Sequence, residues 1–163
     1  MKYLASLFLI IAVACGSETT DTAAASAVNT QPKPTTIYFV RHAETDGPSA
    51  NNPNLSQEGK QRAERLAELV GKVDAVYATG YHRTQQTAEP TARKSGVEVQ
   101  TYQAGDDKFL AGKMGNILVV GHSNTIPDLV NSISGSSAYT NIDESNYGNL
   151  FTVKNGRVKR RDY

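Results

Sequence analysis

The chain has 163 residues, with 17 Lys plus Arg against 16 Asp plus Glu and a single cysteine. Charge this balanced argues against a nucleic-acid binder, which needs a basic excess on one face. One cysteine excludes an internal disulfide, so any folded domain must rely on its core.

Residues 1–14 read as a targeting segment. Lys2 supplies a positive start, and Leu4 through Ala14 are apolar apart from Ser6. The run is shorter than the roughly 20 residues a bilayer span needs. It meets Ala12-Val13-Ala14-Cys15-Gly16, which resembles a bacterial lipoprotein signal. That resemblance implies cleavage before Cys15, a lipid on Cys15 and export to the bacterial cell envelope, facing the periplasm. Ordinary secretory cleavage at a nearby small residue is the alternative. Residues 15–35 are rich in Ser, Thr and Ala without periodicity, and are expected to be a flexible tether. Loss of residues 1–14 removes Lys2 alone and leaves 16 charges of each sign. Residues 36–163 suffice for one domain.

The first strand is expected from Thr36, where Ile37-Tyr38-Phe39-Val40 is apolar on both faces, as a central strand covered by helices requires. It ends in Arg41-His42, and the carboxyl ends of such strands are where ligands sit. A fixed cation beside an imidazole suits an anion and covalent chemistry. A polar loop, Glu44 to Asn54, leads to Ser56, a helix N-cap. Gly59 early in that helix implies close approach by other backbone. Ala63, Leu66, Ala67 and Val70 follow at helical spacing, Arg62 is placed toward solvent or toward the loop above, and Gly71 ends the helix.

Val73 to Thr79 is the second strand, and a second helix begins after Gly80. Arg83, Thr84, Thr87 and Ala88 share one face of it, small and polar, suited to lying under a site. His82 is placed at the rim, and Pro90 is expected to kink or interrupt the helix. Asn116 to Val120 repeats the opening pattern, a buried-looking strand ending in Gly121-His122. Ser123, Asn124 and Thr125 offer caps for a third helix. Pro127 is tolerated only in a first turn, so that helix starts near Thr125, and its N-terminus favours an anion. Residues 134–146 read as a loop bordering the pocket. Tyr147 to Val158 reads as a hairpin turning at Asn155-Gly156, a pair of edge strands without chemistry.

Strands alternating with helices predict an α/β domain, three layers around a mostly parallel sheet. Two strand-end histidines and two arginines at one sheet edge make a pocket for a tetrahedral dianion. Neutral His42 can attack phosphorus through one ring nitrogen if the other donates to a backbone carbonyl. Arg41 and Arg83 would hold the transferring oxygens, with His122 opposite. No convergent carboxylate spacing supports a metal site.

The motifs Arg41-His42-Ala43-Glu44-Thr45, Leu55-Ser56-x-x-Gly59-x-x-Arg62-Ala63, Ala78-Thr79 with Arg83-Thr84-x-Gln86-Thr87-Ala88, and Gly121-His122-Ser123 resemble the histidine phosphatase superfamily, which includes phosphoglycerate mutases. The resemblance implies that His42 is the phosphorylated nucleophile, that Arg41, Arg83 and His122 form its phosphate pocket together with Ser123, and that no metal or organic cofactor is needed. Such enzymes usually protonate the leaving group with Glu or Asp. In the segment 97–110 the nearest carboxylates are Asp106 and Asp107, each equally a solvated helix cap. The expected activity is hydrolysis of a small phosphomonoester. The alternatives are a lipoprotein that binds a phosphorylated ligand without turnover, a phosphohistidine phosphatase-like activity, or a mutase.

Overall fold

The computed structural model describes residues 35–47 and 51–163. The targeting segment, Cys15 and the tether up to residue 34 lie outside the described residues. Within the unit Pro32–Tyr163, a six-stranded sheet runs in the order β3-β2-β4-β1-β5-β6. The strands are β1 Thr36–Arg41, β2 Ala75–Ala78, β3 Val99–Thr101, β4 Asn116–Gly121, β5 Asn149–Lys154 and β6 Arg157–Asp162. The first four are parallel, and β5 and β6 run antiparallel to them.

Side-chain alternation divides each central strand between two cores. Ile37, Phe39, Ile117, Val119 and Phe151 pack with Ile126, Leu129 and Val130 of α3, Thr125–Ser134. Val40, Leu118, Val120 and Val76 pack with Leu66 of α1, Gln57–Val70, and with Ala88 and Ala92 of α2, His82–Ser95. The result is the expected three-layer α/β/α domain, with α1 and α2 on one face and α3 on the other. Adjacent strands β1 and β4 send their following chains to opposite faces, which opens a crevice beyond their carboxyl ends.

Local chemistry explains the helix starts. Ser56 Oγ accepts from Gly59 N at 3.1 Å, and a methyl at Gly59 would lie 2.1 Å from the Glu44 carbonyl oxygen. The close backbone approach expected of this glycine is therefore present. Arg62 turns to the loop, where its Nε and Nη2 grip the Glu44 carboxylate at 2.5–2.9 Å.

Three expectations change. Pro90 does not interrupt α2, which runs unbroken from His82 to Ser95. Thr87, Ala88, Thr91 and Ala92 are buried on either side of it, and that packing outweighs the roughly 3 kcal/mol a helical proline costs. The segment after α2 contains β3, too short and too exposed at Gln100 and Thr101 to show a strand pattern. The terminal hairpin turns at Asn155-Gly156, both with positive φ as a type I′ turn requires. Of the hairpin's two strands only β6 is an edge, however, because β5 is inserted between β1 and β6. The exposed Arg157, Lys159, Arg160 and Arg161 of β6 discourage further strand pairing.

Candidate active site

The parallel register pairs Arg41 with Gly121, so His42 and His122 leave neighbouring strands side by side. His42 N donates to the Gly121 carbonyl at 2.9 Å, and the two imidazoles meet edge to face with centroids 5.6 Å apart. Gly121 is required by crowding, since a methyl there would meet Tyr102 Oη at 2.7 Å and Ile126 Cδ1 at 2.9 Å.

The polar face of α2 supports both histidines from below. Thr87 Oγ1 accepts from Ala43 N at 3.0 Å and donates to the Arg83 carbonyl at 2.7 Å, tying the loop after β1 to α2. Gln86 holds the same loop through Leu55 N and Asn54 Oδ1, each at 2.8 Å.

Hydrogen bonding sets the tautomers. His42 Nδ1 lies 2.9 Å from the Ala43 carbonyl. A carbonyl only accepts, so Nδ1 carries the proton and Nε2 keeps its lone pair. Thr84 Oγ1 is 2.8 Å from the carbonyls of Thr79 and Tyr81, which commit its one proton. Thr79 must then donate across the 2.9 Å contact to Thr84. Its oxygen is left to accept from His122 Nε2–H at 3.0 Å. His122 Nδ1 is the remaining acceptor, and it faces Arg83 Nη2 at 3.5 Å.

Both rings are kept neutral. Burial is the largest influence on His42 and brings its pKa down to about 4, with Arg41, Arg83 and His122 acting in the same direction against the Ala43 hydrogen bond. Burial followed by Arg83 and Arg41 brings His122 down to about 4, Glu144 opposing.

His42, Arg83, His122, Ser123, Asn124 and Thr125 line one cleft of about 380 Å³, with Tyr81, Ala104 and Glu144 at its sides. Arg83 lies over the Tyr81 ring at 4.4 Å, and among the described residues it has no carboxylate partner. The N-terminus of α3 opens on the same cleft, with residues 123–125 in its wall. A similar volume between α1 and α2, lined by Lys60, Glu64, Glu89 and Arg93 among others, carries charges of both signs and no histidine.

Arg41 is placed differently from the expectation. Its side chain is buried, and Nη1 donates to the carbonyls of Asp143, Glu144 and Asn146 at 2.8–3.3 Å. Nη2 meets Glu144 Oε2 at 2.5 Å, Tyr147 covers the guanidinium at 4.2 Å, and Nε is buried without a partner. Ser123 donates to the other carboxylate oxygen of Glu144.

Asp106 and Asp107 are not brought to the cleft. Asp106 Oδ1 caps Lys108 N at 2.9 Å, and Asp107 bonds Ser132 on α3. Both belong to a tight turn leading into the 3₁₀ segment Lys108–Leu110, where the Asp106 side chain caps and that of Asp107 does not. His82 is exposed and does not line the cleft, its backbone N–H bonded to Asn52 Oδ1. Glu144 was missed because it stands in a polar loop whose fold depends on Arg41, about a hundred residues earlier. Among the described residues, no group of three or more His, Cys, Asp or Glu is arranged to hold a metal ion.

Residues 37–104 match the family model of the histidine phosphatase superfamily, branch 1. Comparison with curated proteins gives no match. Among solved structures, the protein histidine phosphatase SixA complexed with tungstate is 15% identical with a TM-score of 0.57, the alignment covering 77% of this chain and 94% of that one. A mycobacterial glucosyl-3-phosphoglycerate phosphatase is 14% identical at TM-score 0.56, covering 80% and 99%. A phosphoserine phosphatase from Entamoeba histolytica, in complex with 3-phosphoglyceric acid, is 18% identical at 0.52, covering 74% and 95%. At these identities the likeness is one of fold. Residues 37–104 are thus similar to the histidine phosphatase superfamily, and the chain shares the fold of solved phosphatases.

Proposed function

We propose that this protein is a phosphatase that hydrolyses a small phosphorylated substrate through a phosphohistidine on His42. One observation carries the reading: among the described residues, a neutral imidazole offers to the cleft an Nε2 with no hydrogen-bond partner, where Arg83 stands without a carboxylate partner. Phosphate bound between Arg83 and the first turn of α3 would present phosphorus to His42 Nε2. Attack forms the N–P bond as the ester P–O bond breaks, and water then cleaves N–P to release phosphate. Arg83 stabilises the charge that spreads over the equatorial oxygens. A dianion there offsets the Arg83 and Arg41 charges that add to burial in keeping His122 neutral, which favours a proton on His122 Nδ1 and makes it a further donor.

Several neighbours in fold are phosphatases by name, including a protein histidine phosphatase, which supports the class and leaves phosphohistidine among the candidate substrates. The lipoprotein-like segment before Cys15 supports export and anchoring to the cell envelope, with the domain carried on the tether.

Rapid-quench turnover of 4-nitrophenyl phosphate in EDTA, following acid-labile protein-bound phosphate, tests the chemistry. A phosphoenzyme that is lost in His42→Ala, in a protein that still melts cooperatively, is the expected result. Turnover by His42→Ala at the wild-type rate would overturn the mechanism. Metabolic labelling with a fatty acid, lost in Cys15→Ala, tests the anchor separately.

A further inference from the structure

We propose that Glu144, in the loop before β5, is the proton donor to the leaving group. The proposal rests on the phosphatase reading above and supplies the acid which that chemistry needs. Elimination and geometry both lead to it. Among the described residues lining the cleft with His42, Arg83 and His122, Glu144 is the one carboxylate. Asp106 and Asp107 are tied to Lys108 and Ser132. Asp143 presents only its carbonyl to Arg41, its carboxylate being taken by the backbone and hydroxyl of Ser145.

The loop is moored so that this carboxylate reaches the cleft. Ile142 is buried, and its N–H donates to the Ser123 carbonyl at 2.9 Å. Arg41 then collects the carbonyls of Asp143, Glu144 and Asn146. The Glu144 side chain bridges Arg41 Nη2 and Ser123 Oγ while remaining 77% exposed, so it can leave these partners without unfolding anything.

A phosphate dianion in the cleft competes for the donors that Glu144 now holds. Like charges brought together at a protein surface repel. A proton held between carboxylate and phosphoester relieves that repulsion. As His42 Nε2 bonds to phosphorus and the ester P–O bond breaks, that proton passes to the departing oxygen. In the second half-reaction the carboxylate takes a proton from the water attacking phosphorus, N–P breaks, and the carboxyl is restored.

Leaving-group dependence separates this role from an anchoring one. The full chain and Glu144→Gln should be compared on 4-nitrophenyl phosphate, phenyl phosphate and an alkyl phosphate. Proton donation matters most for the most basic leaving group, so the loss in kcat/KM should climb along the series, reaching about 100-fold or more on the alkyl ester. Glu144→Asp, which keeps the carboxyl, should recover part of that loss. Phosphoenzyme formation from 4-nitrophenyl phosphate by Glu144→Gln would show that the site remains assembled. A loss of equal size on all three substrates would overturn the acid role in favour of loop anchoring. A gain on all three, with tighter inorganic phosphate binding, would overturn it in favour of a carboxylate that merely blocks the site. Wild-type protein forming no phosphoenzyme on any of them would overturn both this proposal and the phosphatase reading.

Discussion

Arg41 and Gly121 stand opposite each other in the parallel pairing of β1 with β4, and this relationship makes the site. It sets His42 and His122 one residue beyond the last pair, at the same height on adjacent strands. A shift of one residue in that register would turn one of the imidazoles to the other side of the sheet.

Among the described residues, Arg83 is the cation in the cleft that pairs with no carboxylate, held in place by Tyr81 at 4.4 Å. Arg83→Ala should lower kcat/KM by about 100-fold or more, equivalent to roughly 3 kcal/mol of transition-state stabilisation. Arg83→Lys should recover only part, because an ammonium lacks the fork that holds two oxygens. Steady-state kinetics on an aryl phosphate check both, and full activity of Arg83→Ala would remove it from the phosphate pocket.

His42 and His122 should stay neutral well below the ordinary range, since both are brought down to about 4. A lowered folded-state value means that the unfolded chain binds more protons between about pH 4 and 6.5. Their contribution to stability is therefore complete above pH 6.5 and is lost as pH falls toward 4. Imidazole nitrogen shifts recorded at pH 6 should show Nδ1–H on His42 and Nε2–H on His122. Two protonated rings at that pH would contradict the geometry.

Thr79 carries the relay from His122 to Thr84. Thr79→Val keeps the shape but removes the acceptor for Nε2–H and the donor to Thr84. The cost should be about 1–3 kcal/mol in unfolding free energy, with a changed His122 tautomer population in the same nitrogen spectra. Unchanged His122 shifts would mean that another group sets its tautomer.

Gly59 admits the Glu44 carbonyl where a side chain would stand, at 2.1 Å from the position of a methyl. The obstacle is backbone, so Gly59→Ala should push the loop after His42 away from α1. A loss of about 1–3 kcal/mol in stability is expected, together with reduced turnover, because Ser56 and Arg62 hold Glu44 from the same helix. Denaturant melts and kinetics on one preparation test it, and wild-type stability would show that the helix can shift without cost.

Much of this organisation is legible along the chain. Apolar strands ending in Arg41-His42 and Gly121-His122 announce a sheet whose carboxyl edge carries imidazoles, because burial on both faces requires continuous apolar runs. Ser56, Gly71, Pro127 and Asn155-Gly156 mark helix and turn limits through local backbone chemistry that needs no distant partner. The role of Thr84 and Thr87 beneath the site follows from helical spacing alone.

Other features exist only once distant segments meet. β3 takes its hydrogen bonds from β2, so three residues with little pattern of their own become a strand. Pro90 is carried through α2 by burial around it, which outweighs its local preference. Arg41 reads in sequence as a phosphate ligand, yet it also organises the 143–146 loop and brings the Glu144 carboxylate to the cleft. The sequence by itself determined which strand ends carry the imidazoles and the arginine beside them. The carbonyl of the next residue, Ala43, sets the tautomer of His42, whereas tertiary structure decided which nitrogen of His122 is free and which carboxylate stands nearby, because those two depend on hydrogen bonds between residues far apart in the chain.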